Sequence, residues 1–215
     1  MIISFINQKG GSGKTTLAVN VASTLVKLGY SVLLIDADSQ ASSSAWASIR
    51  AETLFQVVSM ARPNFAKDAM TMALNYDFTI IDGPPHAQEI SRSCIAAADL
   101  VLIPIEPSGL SIWASEMTVA QVHEASECKD IQVAFVISRK IKRTIIGRQI
   151  YVMAEGYRLP ILTSHVHQRV AFAECLTLGK SIHEYEPYSL AVEEIQQLTN
   201  EILDLAETNF SAGSR

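Results

Sequence analysis

A glycine-rich loop near the start of the chain limits its possible folds more than any other feature. The loop, Lys9–Thr16, reads K-G-G-S-G-K-T-T and lies between the apolar run Ile2–Ile6 and an amphipathic stretch that begins at Lys14. Glycines let the backbone turn tightly enough for successive N–H groups to face inward, and a helix N-terminus adds free N–H groups and a positive dipole. The sequence therefore predicts a strand, a phosphate-binding loop and a helix in succession.

Short apolar runs and longer amphipathic stretches alternate along the rest of the 215 residues. Nearly continuous apolar runs of this kind are typical of parallel strands that are covered on both faces. The predicted strands are Ile2–Ile6, Val32–Ile35, Phe78–Ile81, Leu100–Ile105, Val133–Ile137 and Leu159–Leu162. The predicted helices are Lys14–Leu28, Gln40–Arg50, Ala66–Asn75, Gln88–Ala97, Ser111–Ser126, Thr144–Glu155 and Ser189–Glu207. This order predicts an α/β fold, with a doubly wound, mostly parallel sheet and helices on both faces, in a single domain over 1–215.

Composition and cysteine content narrow the class of protein. The chain is 48% hydrophobic and 18% charged, which excludes collagen-like, low-complexity and disordered proteins. Its three cysteines form no C-x-x-C pair and no disulfide framework, so a reducing, cytoplasmic compartment is favoured. No apolar run approaches the roughly 18 residues that a membrane span requires.

The loop and the ends of the next two strands carry the residues for phosphate chemistry. The predicted cradle consists of Gly10, Gly11, Ser12, Gly13, Lys14, Thr15 and Thr16. Lys14 is placed to reach β- and γ-phosphates, and the Thr15 hydroxyl to ligate Mg²⁺. Asp36 and Asp38 follow the second strand, and Asp82 ends the third. Because open α/β sheets bind ligands at the carboxyl ends of their strands, these carboxylates are candidate site residues, with Asp82 holding Mg²⁺.

The start of the loop departs from the common P-loop pattern. Gln8 stands where that pattern has its first glycine, and a second lysine, Lys9, follows it. The loop resembles the deviant Walker A box, K-G-G-x-G-K-[ST], of the ParA/MinD family of P-loop ATPases. D-A-D-S-Q at 36–40 resembles that family's D-x-D-P-Q, with Ser39 in place of proline. F-T-I-I-D-G-P-P at 78–85 resembles its Walker B strand and switch segment, and A-D-L-V-L-I-P at 98–104 its next strand.

The resemblance implies an enzyme that hydrolyses ATP slowly, with Mg²⁺, until a partner stimulates it. By this resemblance the catalytic residues are Lys9, Lys14 and Asp38. Lys9 would cross a dimer interface to the partner's phosphates, and Asp38 would orient the attacking water. Thr15, Asp36 and Asp82 would support the metal.

The charge of the chain is unevenly distributed. Residues 139–180 contain eight basic and two acidic side chains, whereas the whole chain has a net charge of −5. Such asymmetry indicates an anionic partner, although a run of charge can also be a merely solvated face. The family resemblance favours non-specific duplex DNA, bound in the ATP state through Arg139, Lys140, Lys142, Arg143, Arg148, Arg169 and Lys180.

Within the family the chain is most similar to small ParF-like ParA partition proteins, since it begins almost at the loop and no N-terminal helix-turn-helix domain is expected. This similarity implies an ATP-dependent homodimer on nucleoid DNA in the cytoplasm. A small centromere-binding adaptor of the ParB or ParG kind would stimulate hydrolysis and release. The alternatives are an ATPase that positions a protein cargo, a MinD-like membrane-cycling ATPase and a P-loop metabolic ligase. The acidic polar face of 189–207 argues against membrane association, and Lys9 with the basic segment argues against a ligase.

Overall fold

A computed structural model describes residues 1–212, except for the side chains of Gly147, Arg148, Met153 and residues 207–212. The strands are β1 (Ile2–Phe5), β2 (Val32–Asp36), β3 (Gln56–Ser59), β4 (Phe78–Asp82), β5 (Leu100–Ile105), β6 (Gln132–Lys140) and β7 (Ile161–His167). The helices are α1 (Lys14–Lys27), α2 (Ser42–Ser48), α3 (Ala66–Ala73), α4 (Gln88–Ala97), α5 (Gly109–Ser126), α6 (Ile146–Glu155), α7 (Val170–Thr177), α8 (Ile182–Tyr185) and α9 (Leu190–Ala212).

Within residues 1–212 the strands form one parallel sheet in the order β3-β2-β4-β1-β5-β6-β7. Successive side chains of a strand point to opposite faces, so Ile3 and Phe5 pack beneath α1 and α9 while Ile2 packs beneath the helices of the other face. Helices α1, α2 and α7 to α9 cover the first face, and α3 to α6 cover the second. The predicted doubly wound α/β fold is confirmed.

The strand order positions the glycine-rich loop. β1 lies between β4 and β5, where the connections of the sheet change direction. A loop that leaves the carboxyl end of such a strand opens into the crevice between neighbouring connections, which is where doubly wound sheets bind ligands.

The structure differs from the sequence-based prediction at the two edges of the sheet. The edge strand β3 was not predicted, because its four residues are half-buried or exposed and lack a continuous apolar run. β7 continues to His167, whereas the apolar run indicated only Leu159–Leu162. Polar residues are tolerated at these positions because an edge strand is not enclosed on both sides.

The C-terminal helix α9 is docked on the first face of the sheet. Ala191, Ile195, Leu198 and Ile202 are buried among residues of α1 and β7. This arrangement confirms the predicted docked helix, whose acidic residues lie off the apolar stripe. No helix in the described part of the chain combines the length and the apolarity that a membrane crossing requires.

Candidate nucleotide site

The glycine-rich loop connects β1 to α1 as a tight turn. Gly11 and Gly13 have φ values of 74° and 93°, a left-handed conformation that side chains disfavour. Gly13 is the N-cap of α1, and its carbonyl accepts from the Leu17 N–H at 2.9 Å. The first N–H groups of α1 are thus directed toward the loop, as an anion cradle requires.

Lys14, the first residue of α1, is held inside this loop. Its side chain is buried, and its Nζ donates to the Lys9 carbonyl at 3.1 Å. Burial lowers the pKa of Lys14, while the negative charges of Asp82 and Asp38 oppose that change. A phosphate bound in the cradle would favour the ammonium in the same way.

Asp82 ends β4 in a wholly buried position beside the loop. Its Oδ2 accepts from the Ser43 hydroxyl at 2.8 Å, and its Oδ1 has no hydrogen-bond partner among the residues described. Burial raises the pKa of Asp82 to about 7, although the Ser43 and Thr15 hydroxyls oppose the rise. A buried carboxylate oxygen without a donor fits the demands of Mg²⁺, a hard cation that prefers oxygen ligands. With Thr15 on the loop, Asp82 would hold the metal, which neutralises phosphate charge when bound.

Asp36 lies in register with Asp82 on the adjacent strand β2. Its Oδ1 accepts from the Asp38 N–H at 3.2 Å and its Oδ2 from the Ser44 N–H at 2.7 Å. Both oxygens are therefore engaged with the backbone that leads into α2, so Asp36 shapes this turn. Its predicted support of Mg²⁺ would act through that turn, which also brings Ser43 to Asp82.

Asp38, two residues further along, is half-buried and lines the cleft above the loop. Its Oδ1 accepts from the Gln40 N–H at 3.0 Å, which fixes the carboxylate in the turn. The cleft has a volume of about 1070 Å³ and is far larger than a phosphate group. The loop forms one end of it, and the carboxyl ends of β6 and β7 with the residues that follow them, within 138–142 and 166–173, form its other walls.

Comparisons with known proteins agree with this geometry. Residues 3–182 match the model of the CobQ/CobB/MinD/ParA nucleotide-binding domain family. The chain belongs to this family. It is a ParA/MinD-type ATPase.

Three similar proteins illustrate the range of the family. The chain is 28% identical over 207 residues to the maintenance of carboxysome distribution protein A of Halothiobacillus neapolitanus, covering 94% of this chain and 95% of that relative. It is 25% identical over 235 residues to the chromosome-partitioning ATPase Soj of Thermus thermophilus, covering 94% of each. The septum site-determining protein MinD of Pyrococcus horikoshii, solved with Mg-ADP, has the same fold, with a TM-score of 0.79 and 22% identity over 95% of this chain and 96% of that one.

Lys9, the second lysine of the ParA/MinD loop, forms an ion pair that the sequence did not predict. Its Nζ lies 2.8 Å from Glu106 Oε2. Arg139, predicted to bind DNA, lies 3.0 Å from the other oxygen of Glu106 and donates to the Gly11 carbonyl at 2.7 Å. Glu106 directly follows β5, the strand next to β1, so its place at a strand end was the signal that could have identified it.

The other predicted DNA-binding residues fall into separate environments. Lys140 is half-buried, with its Nζ 5.3 Å from the centre of the Tyr151 ring. The side chains of Lys142, Arg143 and Lys180 are exposed and have no hydrogen-bond or ion-pair partner in the part of the chain that the structure describes. The Arg148 side chain lies outside that part.

Arg169 follows β7 and is bound to an acidic residue of α9. Its guanidinium donates to both oxygens of Glu194, which also accepts from the His167 N–H at 3.0 Å. Burial opposes the charge on Glu194, but the hydrogen bonds from Arg169 and His167 outweigh it and lower the pKa of this carboxyl. A DNA phosphate would have to compete with Glu194 for Arg169. It would meet no such competition at Lys142, Arg143 and Lys180, whose side chains have no partner among the described residues.

Proposed function

We propose that this chain is an ATP-dependent DNA-partitioning ATPase whose ATP-bound dimer binds duplex DNA without sequence preference. One observation carries the proposal: Lys142 and Arg143, exposed cations without a side-chain partner among the described residues, follow β6, and Lys142 lines the nucleotide cleft. Positive charge on one face is what binding to a phosphate backbone needs. Its position at the cleft supports control of DNA binding by the nucleotide.

The proposed dimer places ATP between two subunits. Lys9 stands at the outer end of the phosphate loop, and its side chain is partly exposed. The first turns of α5, which begins three residues after Glu106, expose Leu110 and Trp113, which are 71% and 64% accessible. Large apolar side chains beside a charged loop support an interface between subunits. In this dimer Lys9 of one subunit would neutralise phosphate charge in the other, and Asp38 would orient water for hydrolysis.

The cargo distinguishes two candidate roles of this mechanism. The first is segregation of DNA through a centromere-binding adaptor of the ParB or ParG kind, on the nucleoid in the cytoplasm; the similarity to Soj supports it. The second is the positioning of a protein cargo. The similarity to the carboxysome distribution protein over nearly the whole chain favours that role. Both roles require the same ATP-dependent binding to DNA, so that step is tested first.

The test measures binding to an arbitrary DNA duplex with ATP, with ADP and without nucleotide, at two salt concentrations. We expect binding only with ATP, and weaker binding at higher salt. The double variant Lys142→Ala/Arg143→Ala removes four cations from the dimer. It should reduce the slope of log affinity against log salt by about 4, since each phosphate contact contributes about 0.9. Lys67→Ala, an exposed lysine of α3, is the matched control and should leave the slope unchanged.

Absence of binding in every nucleotide state would refute the DNA proposal. Liposome binding would then test the membrane-cycling alternative, although the apolar stripe of α9 is buried against the sheet. Full ATP hydrolysis by a monomeric Lys9→Ala variant would instead favour the metabolic ligase alternative.

A further inference from the structure

Glu106 brings together two cations that face the phosphate loop. Each of its carboxylate oxygens binds one of them: Oε2 lies 2.8 Å from Lys9 Nζ, and Oε1 lies 3.0 Å from Arg139 Nη1. The backbone of Glu106 is fixed as well, because its N–H donates to the Ser111 hydroxyl at 3.0 Å. The carboxylate is only 22% exposed, so water screens these pairs less than it screens surface pairs.

Arg139 connects this cluster to the floor of the nucleotide site. Its φ of 52° is left-handed, which is uncommon for a residue other than glycine and marks a backbone held by its surroundings. The guanidinium donates to the Gly11 carbonyl at 2.7 Å, and the preceding residue, Ser138, donates from its hydroxyl to the Ser12 carbonyl. The end of β6 is thereby fastened to the loop, and Arg139 belongs to the nucleotide site as well as to the basic segment.

The phosphates of a bound nucleoside triphosphate could accept hydrogen bonds from Lys9 and Arg139 in place of the Glu106 carboxylate. Phosphate oxygens and a carboxylate compete for ammonium and guanidinium groups by the same charge-assisted hydrogen bonds. While Glu106 holds Lys9, that ammonium is directed back onto its own subunit and is not available to a facing one. The pair must therefore separate before Lys9 can cross an interface.

We propose that Glu106 is a latch that retains Lys9 and Arg139 on their own subunit and so sets the ATP concentration at which the dimer forms. This inference rests on the proposed ATP-dependent dimer and adds the residue that regulates it. Glu106 is a positioning residue, since it acts through Lys9 and Arg139. If Glu106 instead presented Lys9 to the facing subunit, loss of the Glu106 charge would raise the ATP concentration at which the dimer forms.

Glu106→Gln tests the latch, because the amide keeps the shape of the side chain and removes its charge. The ATP concentration for half-maximal dimer, measured by sedimentation, should fall roughly three- to tenfold, as expected for the loss of a partly screened ion pair. Glu124→Gln is the matched control: it removes an exposed ion pair between Glu124 of α5 and Arg92 of α4, and should cause no shift. An unchanged or raised ATP requirement in Glu106→Gln overturns the latch.

A second readout does not depend on dimerisation. In the nucleotide-free protein, the rate at which an acylating reagent modifies Lys9, followed by mass spectrometry, should rise several-fold in Glu106→Gln and stay constant in Glu124→Gln. If the unaltered protein does not dimerise with ATP, the proposed dimer fails, and this rate still decides whether Glu106 retains Lys9 on its own subunit. An equal rate in Glu106→Gln and the unaltered protein would refute it.

Discussion

Replacing Asp82 by asparagine should stabilise the nucleotide-free protein at alkaline pH, although Asp82 is a candidate metal ligand. The carboxylate is wholly buried, and its Oδ2 accepts a hydrogen bond from the Ser43 hydroxyl. Asparagine has nearly the same shape, can still accept from Ser43 through its carbonyl oxygen, and carries no charge to desolvate.

The pKa of Asp82 gives the size and the pH dependence of this effect. The rise from 3.8 to about 7 corresponds to about 4 kcal/mol, at roughly 1.36 kcal/mol for each pH unit. The folded chain keeps the proton up to about pH 7, whereas the unfolded chain loses it near pH 4. As the pH rises from about 4 to about 7, the contribution of Asp82 to the free energy of unfolding therefore falls, and above that range this contribution stays constant. The advantage of asparagine should be about 4 kcal/mol at pH 8 and about 2 kcal/mol at pH 5.

Urea unfolding of both proteins at pH 5 and pH 8, with a chelator and without nucleotide, measures this difference. Asp36→Asn is the control at the same register position of the adjacent strand. That variant should be destabilised at both pH values, because its NH₂ group would face one of the two backbone N–H donors that Asp36 now satisfies. Adding Mg-ADP should stabilise the unaltered protein more than Asp82→Asn. The reasoning would be refuted if the difference in unfolding free energy between Asp82→Asn and the unaltered protein did not depend on pH. It would also be refuted if Asp82→Asn were less stable than the unaltered protein at pH 8.

Two further substitutions test the catalytic turn and the switch segment. Asp38→Ala should retain ATP binding but lower the hydrolysis rate roughly 100-fold, since it removes the carboxylate that would orient water; equal single-turnover rates would contradict that role. Gly83→Ala should lower the free energy of unfolding by about 1–3 kcal/mol in chemical denaturation, because the new Cβ would meet the Phe5 carbonyl oxygen at 2.9 Å and the Ile6 side chain. Unchanged stability would show that this strand end can shift, in contrast to the close packing observed.

Local sequence signals were sufficient for the elements that have a strong pattern. The helix Gln88–Ala97 was predicted with the bounds that the structure gives it, and the stripe Ala191, Ile195, Leu198 and Ile202 predicted the buried face of α9. The short helices α7 and α8 were not predicted. They lie between β7 and α9 and are stabilised by contacts with α1, such as the bond from the Ile182 N–H to Asn20 Oδ1 at 2.7 Å, which periodicity within the segment does not report.

The sequence by itself determined the phosphate loop, the parallel α/β fold and the carboxylates at the strand ends, because each follows from residues adjacent in the chain. Only the tertiary structure decided which charges meet. Glu106 lies 97 positions from Lys9 and 33 from Arg139, yet one carboxylate binds both. Arg169 is likewise bound to Glu194, 25 positions away. The charge of a side chain can be read from the sequence, whereas the residue that pairs with it depends on the order of the strands. Here β5 lies between β1 and β6, so the residues that follow these three strands meet at one edge of the sheet.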